Sequence, residues 1–98
     1  MSFRATTWAI EVCEQNKVHL TGPEAATLYG LAWCHNHMTG QCNPGPETLA
    51  KRCKLGISTV RKALASLCRK LGIDRVSWGR SWAYRLPIPD HIRPAPAD

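Results

Sequence analysis

Only about three residues, Lys54 to Gly56, separate two stretches that both read as amphipathic helix, Pro46 to Cys53 and Ile57 to Leu71. Leu49, Ala50, Cys53, Leu55, Val60, Ala63, Leu64 and Leu67 form one apolar set across both. Two helices crossing steeply over so short a turn need such a set, with a small residue, Ala50, where the axes approach and a larger apolar one, Leu55, filling the corner. Gly72 then closes the second helix as a C-cap.

The flanking sequence extends this frame in both directions. Upstream, Thr21-Gly22-Pro23-Glu24 has the form of a capping box with proline in the first turn. Ala25, Leu28, Tyr29, Leu31, Ala32 and Trp33 follow at helical spacing, so a largely buried helix is expected. Gly40 and Asn43-Pro44-Gly45-Pro46 end it. At the front, Thr6 and Thr7 before Trp8, Ile10 and Val12 suit a short capped helix or an edge strand, and helix is preferred. After Gly72 the period changes to two. Ile73 to Trp78 and Trp82 to Leu86 flank Gly79, Arg80 and Ser81, which predicts a β-hairpin.

The expected fold class is therefore mainly α with a small β-hairpin, in the order of a winged helix-turn-helix, over residues 1–86. From Pro87 onward, four prolines in twelve residues predict an extended, disordered tail over residues 87–98.

Charge narrows the partners. Ten of the thirteen Lys and Arg residues lie between Lys51 and Arg85, where Asp74 is the only acid, so that segment carries +9 of formal charge. Neutralising phosphates and releasing their counterions is the commonest use of such an excess, a solvated basic face being the other. Neither an apolar run long enough to span a membrane nor a charged-then-apolar leader is present, so a cytoplasmic chain, associated with the nucleoid of a bacterial cell or phage-infected host, is expected.

Catalytic and metal chemistry find little footing. Five cysteines without a secretory leader are expected as reduced thiols. Cys34, His35, His37 and Cys42 are donors of the right type for zinc but lack a second close Cys pair, so no metal and no cofactor are expected. The acids, Glu11, Glu14, Glu24, Glu47, Asp74, Asp90 and Asp98, show no paired-carboxylate spacing, and there is no phosphate loop or nucleophile elbow, so no enzyme activity is expected. Of the four tryptophans, Trp8 and Trp33 are assigned to the core. Alternation puts Trp82 with Tyr84 and Leu86 on one face, against the helices or a second subunit, and only exposed rings would favour base stacking.

The stretch Cys42 to Cys53 with Leu55, Thr59-Val60, Ala63-Leu64, Leu67, Gly72-Ile73 and Tyr84-Arg85-Leu86-Pro87 resembles the winged helix-turn-helix family of phage and plasmid proteins that includes the N-terminal domains of phage O-type replication initiators and related regulators. Leu31 to Asn36 and Thr7-Trp8-Ala9 also have counterparts there. The family usually has Gly where Lys54 stands, Ser where Gly56 stands and often Ser at Gly45. The resemblance implies a bacterial or phage DNA-binding domain.

In that geometry the second helix enters the major groove and reads bases with its N-terminal residues. Val60, Ala63, Leu64, Leu67 and Leu71 point inward, leaving Ser58, Thr59, Arg61, Lys62, Ala65 and Arg69 on or near the outer face. Ser58, Arg61 and Lys62 are the base-edge candidates, and Ile57 suits a thymine methyl. Thr48, Lys51, Arg52 and Lys54 would meet the sugar-phosphate backbone, and Arg80 would do so from the hairpin tip. The function expected is sequence-specific binding of double-stranded DNA, as a transcriptional regulator or replication-origin binder. A homodimer, tandem copies or a partner would supply the specificity a single recognition helix lacks. The competing expectation is a protein-interaction module, or a recombination-directing accessory factor, docking on a replication or transcription protein through the Trp-rich hairpin or the tail.

Overall fold

The computed structural model describes residues 3–35, 42, 44–78, 81–89 and 91–92. Four helices precede two strands: α1 (Phe3–Gln15), α2 (Gly22–Cys34), α3 (Pro46–Cys53), α4 (Ile57–Leu71), β1 (Asp74–Trp78) and β2 (Ser81–Arg85). The architecture is a winged helix-turn-helix. The front of the chain is helical, and Ala5, Trp8 and Ala9 bury one side of α1.

The capping box forms as the sequence predicts. Glu24 N–H donates to Thr21 Oγ1 at 3.3 Å and Thr21 N–H donates to Glu24 Oε1 at 2.8 Å, satisfying two helix-end donors. From this start Leu28 and Leu31 run into the core with no exposed surface. Gly30 sets how closely α2 approaches α3. A Cβ there would stand 3.0 Å from Leu49 Cδ2 and 3.1 Å from Cys53 Sγ.

The turn between α3 and α4 takes the form that its glycine-poor sequence resists. Lys54 sits in the left-handed region at φ 55° and ψ 46°, its N–H donating to Ala50 O, and Leu55 N–H donates to the same carbonyl at 3.0 Å. This is a Schellman closure, usually made with glycine. A side chain in this conformation costs on the order of 1 kcal/mol. Lys54→Gly is therefore expected to stabilise the fold by about that much, read as a higher urea midpoint at unchanged slope; an unchanged or lower midpoint would refute the strain. At Gly56, the N-cap of α4, no side chain caps the helix, and Val60 N–H donates to its carbonyl at 3.0 Å. α4 ends as expected at Gly72, left-handed at φ 72°.

β1 and β2 pair antiparallel, with Asp74 opposite Arg85, Arg75 opposite Tyr84 and Val76 opposite Ala83. Tyr84 and Leu86 are buried. The outer edge of β2 makes one further hydrogen bond, Tyr84 N–H donating to Cys42 O at 2.6 Å.

Two sequence expectations are revised by the packing. Trp33, assigned to the core, is 52% exposed, because it borders an open groove beside Arg52 and Cys53 of α3 instead of pointing into the interior. The tail expected from Pro87 onward is packed in its described part. Ile92 is buried, Ile88 packs on the core, and the Arg4 guanidinium donates to Ile92 O at 2.8 Å and Pro89 O at 3.4 Å. Two isoleucines between the prolines give this segment apolar surface to bury, which proline content alone conceals.

Candidate nucleic-acid interface

α4 is the element the rest of the fold holds in place. Val60, Ala63, Leu64 and Leu67 anchor it to the core, while Ser58, Arg61, Lys62, Ala65 and Arg69 are exposed along the opposite arc. Ile57, at its N-terminal end, is 41% exposed although apolar. Thr59 is half-buried and turns toward α2 rather than outward. Thr48 and Lys51 are exposed on α3, and Lys54 is exposed in the turn. Arg52, one turn after Thr48 on α3, is exposed and also stands beside Tyr29 and Trp33 of α2. Arg80 lies outside the described residues, as does His37.

Two structures flank the exposed arc of α4. On one side is the hairpin, where Asp74 and Arg75 lie close enough to act on the Cys68 thiol from β1. Tyr84 is pushed above the usual phenol range by burial, with Arg75 opposing the shift. On the other side is a cleft of about 400 Å³ between α4 and the start of α2, lined by residues that include Thr21, Lys62, Ser66, Arg69 and Lys70. Its floor is the Glu24 carboxylate, which is held at about 2, first by the Ser66 hydroxyl and then by Thr21 N–H, with Lys70 adding to them against the opposing effect of burial. Lys70 Nζ donates to Glu24 Oε1 at 2.9 Å and to His19 O at 3.0 Å.

Sequence reasoning missed Ser66 and Lys70. Both lie on the α2-facing side of α4, four and eight residues after Lys62, and the lone acid of the capping box was the signal for a cation to meet it. Lys70 ties α4 to the start of α2 and to His19 rather than adding free positive charge.

The thiols are placed for packing. All five cysteines are free. Cys42 Sγ donates to Leu31 O at 3.2 Å and Cys53 Sγ to Ala26 O at 3.3 Å. Burial, with Cys34 adding to it, pushes Cys42 up to about 12 and raises Cys53. A thiol held as high as Cys42 stays protonated at neutral pH, the unreactive form. Among the described residues no group of three His, Cys, Asp or Glu side chains is arranged to hold a metal, and no helix is long and apolar enough to cross a membrane.

A family model described as a helix-turn-helix domain matches residues 19–73, more than half of the chain, running from just before the capping box of α2 to the residue after Gly72. The match covers α2, α3 and α4 and leaves α1 and the hairpin outside it. No curated protein and no solved structure gives a match.

Proposed function

The chain belongs to the helix-turn-helix domain family, and from that premise we propose that it is a site-specific binder of double-stranded DNA that lays α4 in the major groove. The observation that carries this reading is the exposed arc of α4, on which Ser58, Arg61, Lys62 and Arg69 stand opposite the buried anchors. Arg61 suits bidentate pairing with guanine, Ser58 and Lys62 reach neighbouring base edges, and Ile57 meets a thymine methyl. Thr48, Lys51, Arg52 and Lys54 meet backbone phosphates, with Thr59 and Arg69 at the α2 flank of the groove and Arg80 at the hairpin tip.

The biological role we assign is regulator of transcription or binder of a replication origin, of phage or mobile-element type. One recognition helix and one wing read only a few base pairs, so useful specificity takes a second copy on an adjacent half-site. The alternative of a protein-interaction module loses the tail as its docking element over Ile88 and Ile92, which are packed against the fold.

The test is a titration of two fluorescent duplexes, one from upstream of the chain's own gene and one random, at two salt concentrations. Tight, salt-sensitive binding to the upstream duplex alone is expected, with log affinity falling by about 0.9 per phosphate contact against log salt. No binding to either duplex would move the assignment to the protein-interaction module. Arg61→Ala is expected to lose roughly 1–3 kcal/mol of discrimination against the wrong base, whereas Lys51→Ala weakens all duplexes alike and lowers the salt slope by about 1. Unchanged binding in both variants would place the DNA on another face.

A further inference from the structure

Away from the arc of α4, α2 leaves Tyr29 and Trp33 one turn apart, 41% and 52% exposed. α2 packs against both α1 and α3, so this strip has a helix on either side. On the α1 side, Tyr29 bonds the Cys13 side chain and lies close to Glu14, with Ile10, 40% exposed, one turn earlier. On the α3 side a groove of about 450 Å³ runs past Trp33 and is bordered by Gly30, Arg52 and Cys53. The strip is thus aromatic along its middle, acidic at the α1 flank and basic at the α3 flank. Single exposed apolar residues are ordinary on a protein surface, but a contiguous aromatic patch with a polar rim marks a contact surface.

We propose that this strip is where two copies of the chain pair about a two-fold axis. Tyr29 and Trp33 of each copy pack on those of the other, and Glu14 of each faces Arg52 of the other. An isologous contact requires a surface complementary to itself, and opposite charges on opposite flanks of an apolar centre meet that requirement, since the two-fold exchanges the flanks. Bases of a single strand stacked on the same rings would need cations along both sides, and Glu14 instead repels their phosphates. Arg52 carries five N–H donors, enough to serve both a carboxylate across the interface and a DNA phosphate. The inference deepens the proposed function and rests on its need for two half-sites, but the pairing itself requires no DNA.

Sedimentation of the full chain without DNA, from low micromolar to near-millimolar concentration, tests it. A monomer–dimer equilibrium is expected, and Trp33→Ala should weaken it roughly thirtyfold or more, as truncation of a buried interface aromatic does. Glu14→Arg and Arg52→Glu should each weaken it, and the two together should restore it. Circular dichroism should show every variant folded, because none of these side chains is in the core. A monomer at all concentrations, a dimer indifferent to Trp33→Ala, or Trp33-dependent binding of an oligothymidylate would overturn the assignment. Trp33→Ala should still bind a duplex with one half-site as the parent chain does. Failure of the parent chain to bind any duplex would count against the DNA reading and leave the pairing surface standing.

Discussion

Leu67→Ala is expected to cost roughly 2–5 kcal/mol of folding stability, the range for deleting a fully buried leucine where the core cannot close over the cavity. Leu67 has no exposed surface and belongs to the central apolar cluster that joins α1, α2, α4 and the hairpin. α4 owes its position to four buried side chains, Val60, Ala63, Leu64 and Leu67. Losing one of its two fully buried anchors therefore loosens the helix proposed to read DNA. Domains of this size hold only about 5–15 kcal/mol in total, so chemical denaturation should show a large fall in midpoint at unchanged slope. Duplex affinity measured well below the melting temperature should change much less than stability. A fall in midpoint worth under about 1 kcal/mol would mean that the Leu67 site collapses readily or is not the core it looks to be.

Acidification is expected to remove a second block of stability, centred on Glu24. Its carboxyl is held at about 2 instead of 4.5 by the Ser66 hydroxyl, Thr21 N–H and Lys70. Because the folded value lies below the unfolded one, the stabilisation is fully present above about pH 4.5 and is lost as the pH falls toward 2. Taken in full, that difference corresponds to about 3 kcal/mol, and screening at the partly open Lys70 side brings the expected figure nearer 2. Glu24→Gln keeps an acceptor for Thr21 N–H and so preserves the shape of the capping box, but cannot carry the charge. The variant should be less stable than the parent at pH 7, and the two stability curves should converge near pH 2. Curves that stay parallel from pH 5 to pH 2 would show that Glu24 is not the titrating group. The consequence for function follows from position, since Glu24 and Lys70 tie the start of α2 to the second half of α4 beside the proposed DNA face.

Much of the fold was legible because its signals are local. The capping box of α2, Pro46 at the start of α3, Gly72 at the end of α4 and the change of period after it all act through a residue's near neighbours. The outer face of α4 was legible for the same reason, since one helical period places Arg61 and Lys62 opposite Val60, Ala63, Leu64 and Leu67. The left-handed backbone at Lys54 is a conformation that glycine takes without steric cost.

What periodicity cannot say is which neighbour covers a face. The sequence alone determined three helices and a hairpin, with a helix preferred to an edge strand at the front, the residues that point inward from α4, and a basic excess suited to phosphate. Tertiary structure decided that Trp33 faces outward while Trp8 faces inward, that Arg52 stands beside Tyr29 and Trp33, that Ile92 returns to the core past two prolines, and that Cys42 O takes a hydrogen bond from the outer edge of β2. Each of these depends on the meeting of segments far apart in the chain, and burial is decided by that meeting, whereas a helix or a cap is decided within a few residues of itself.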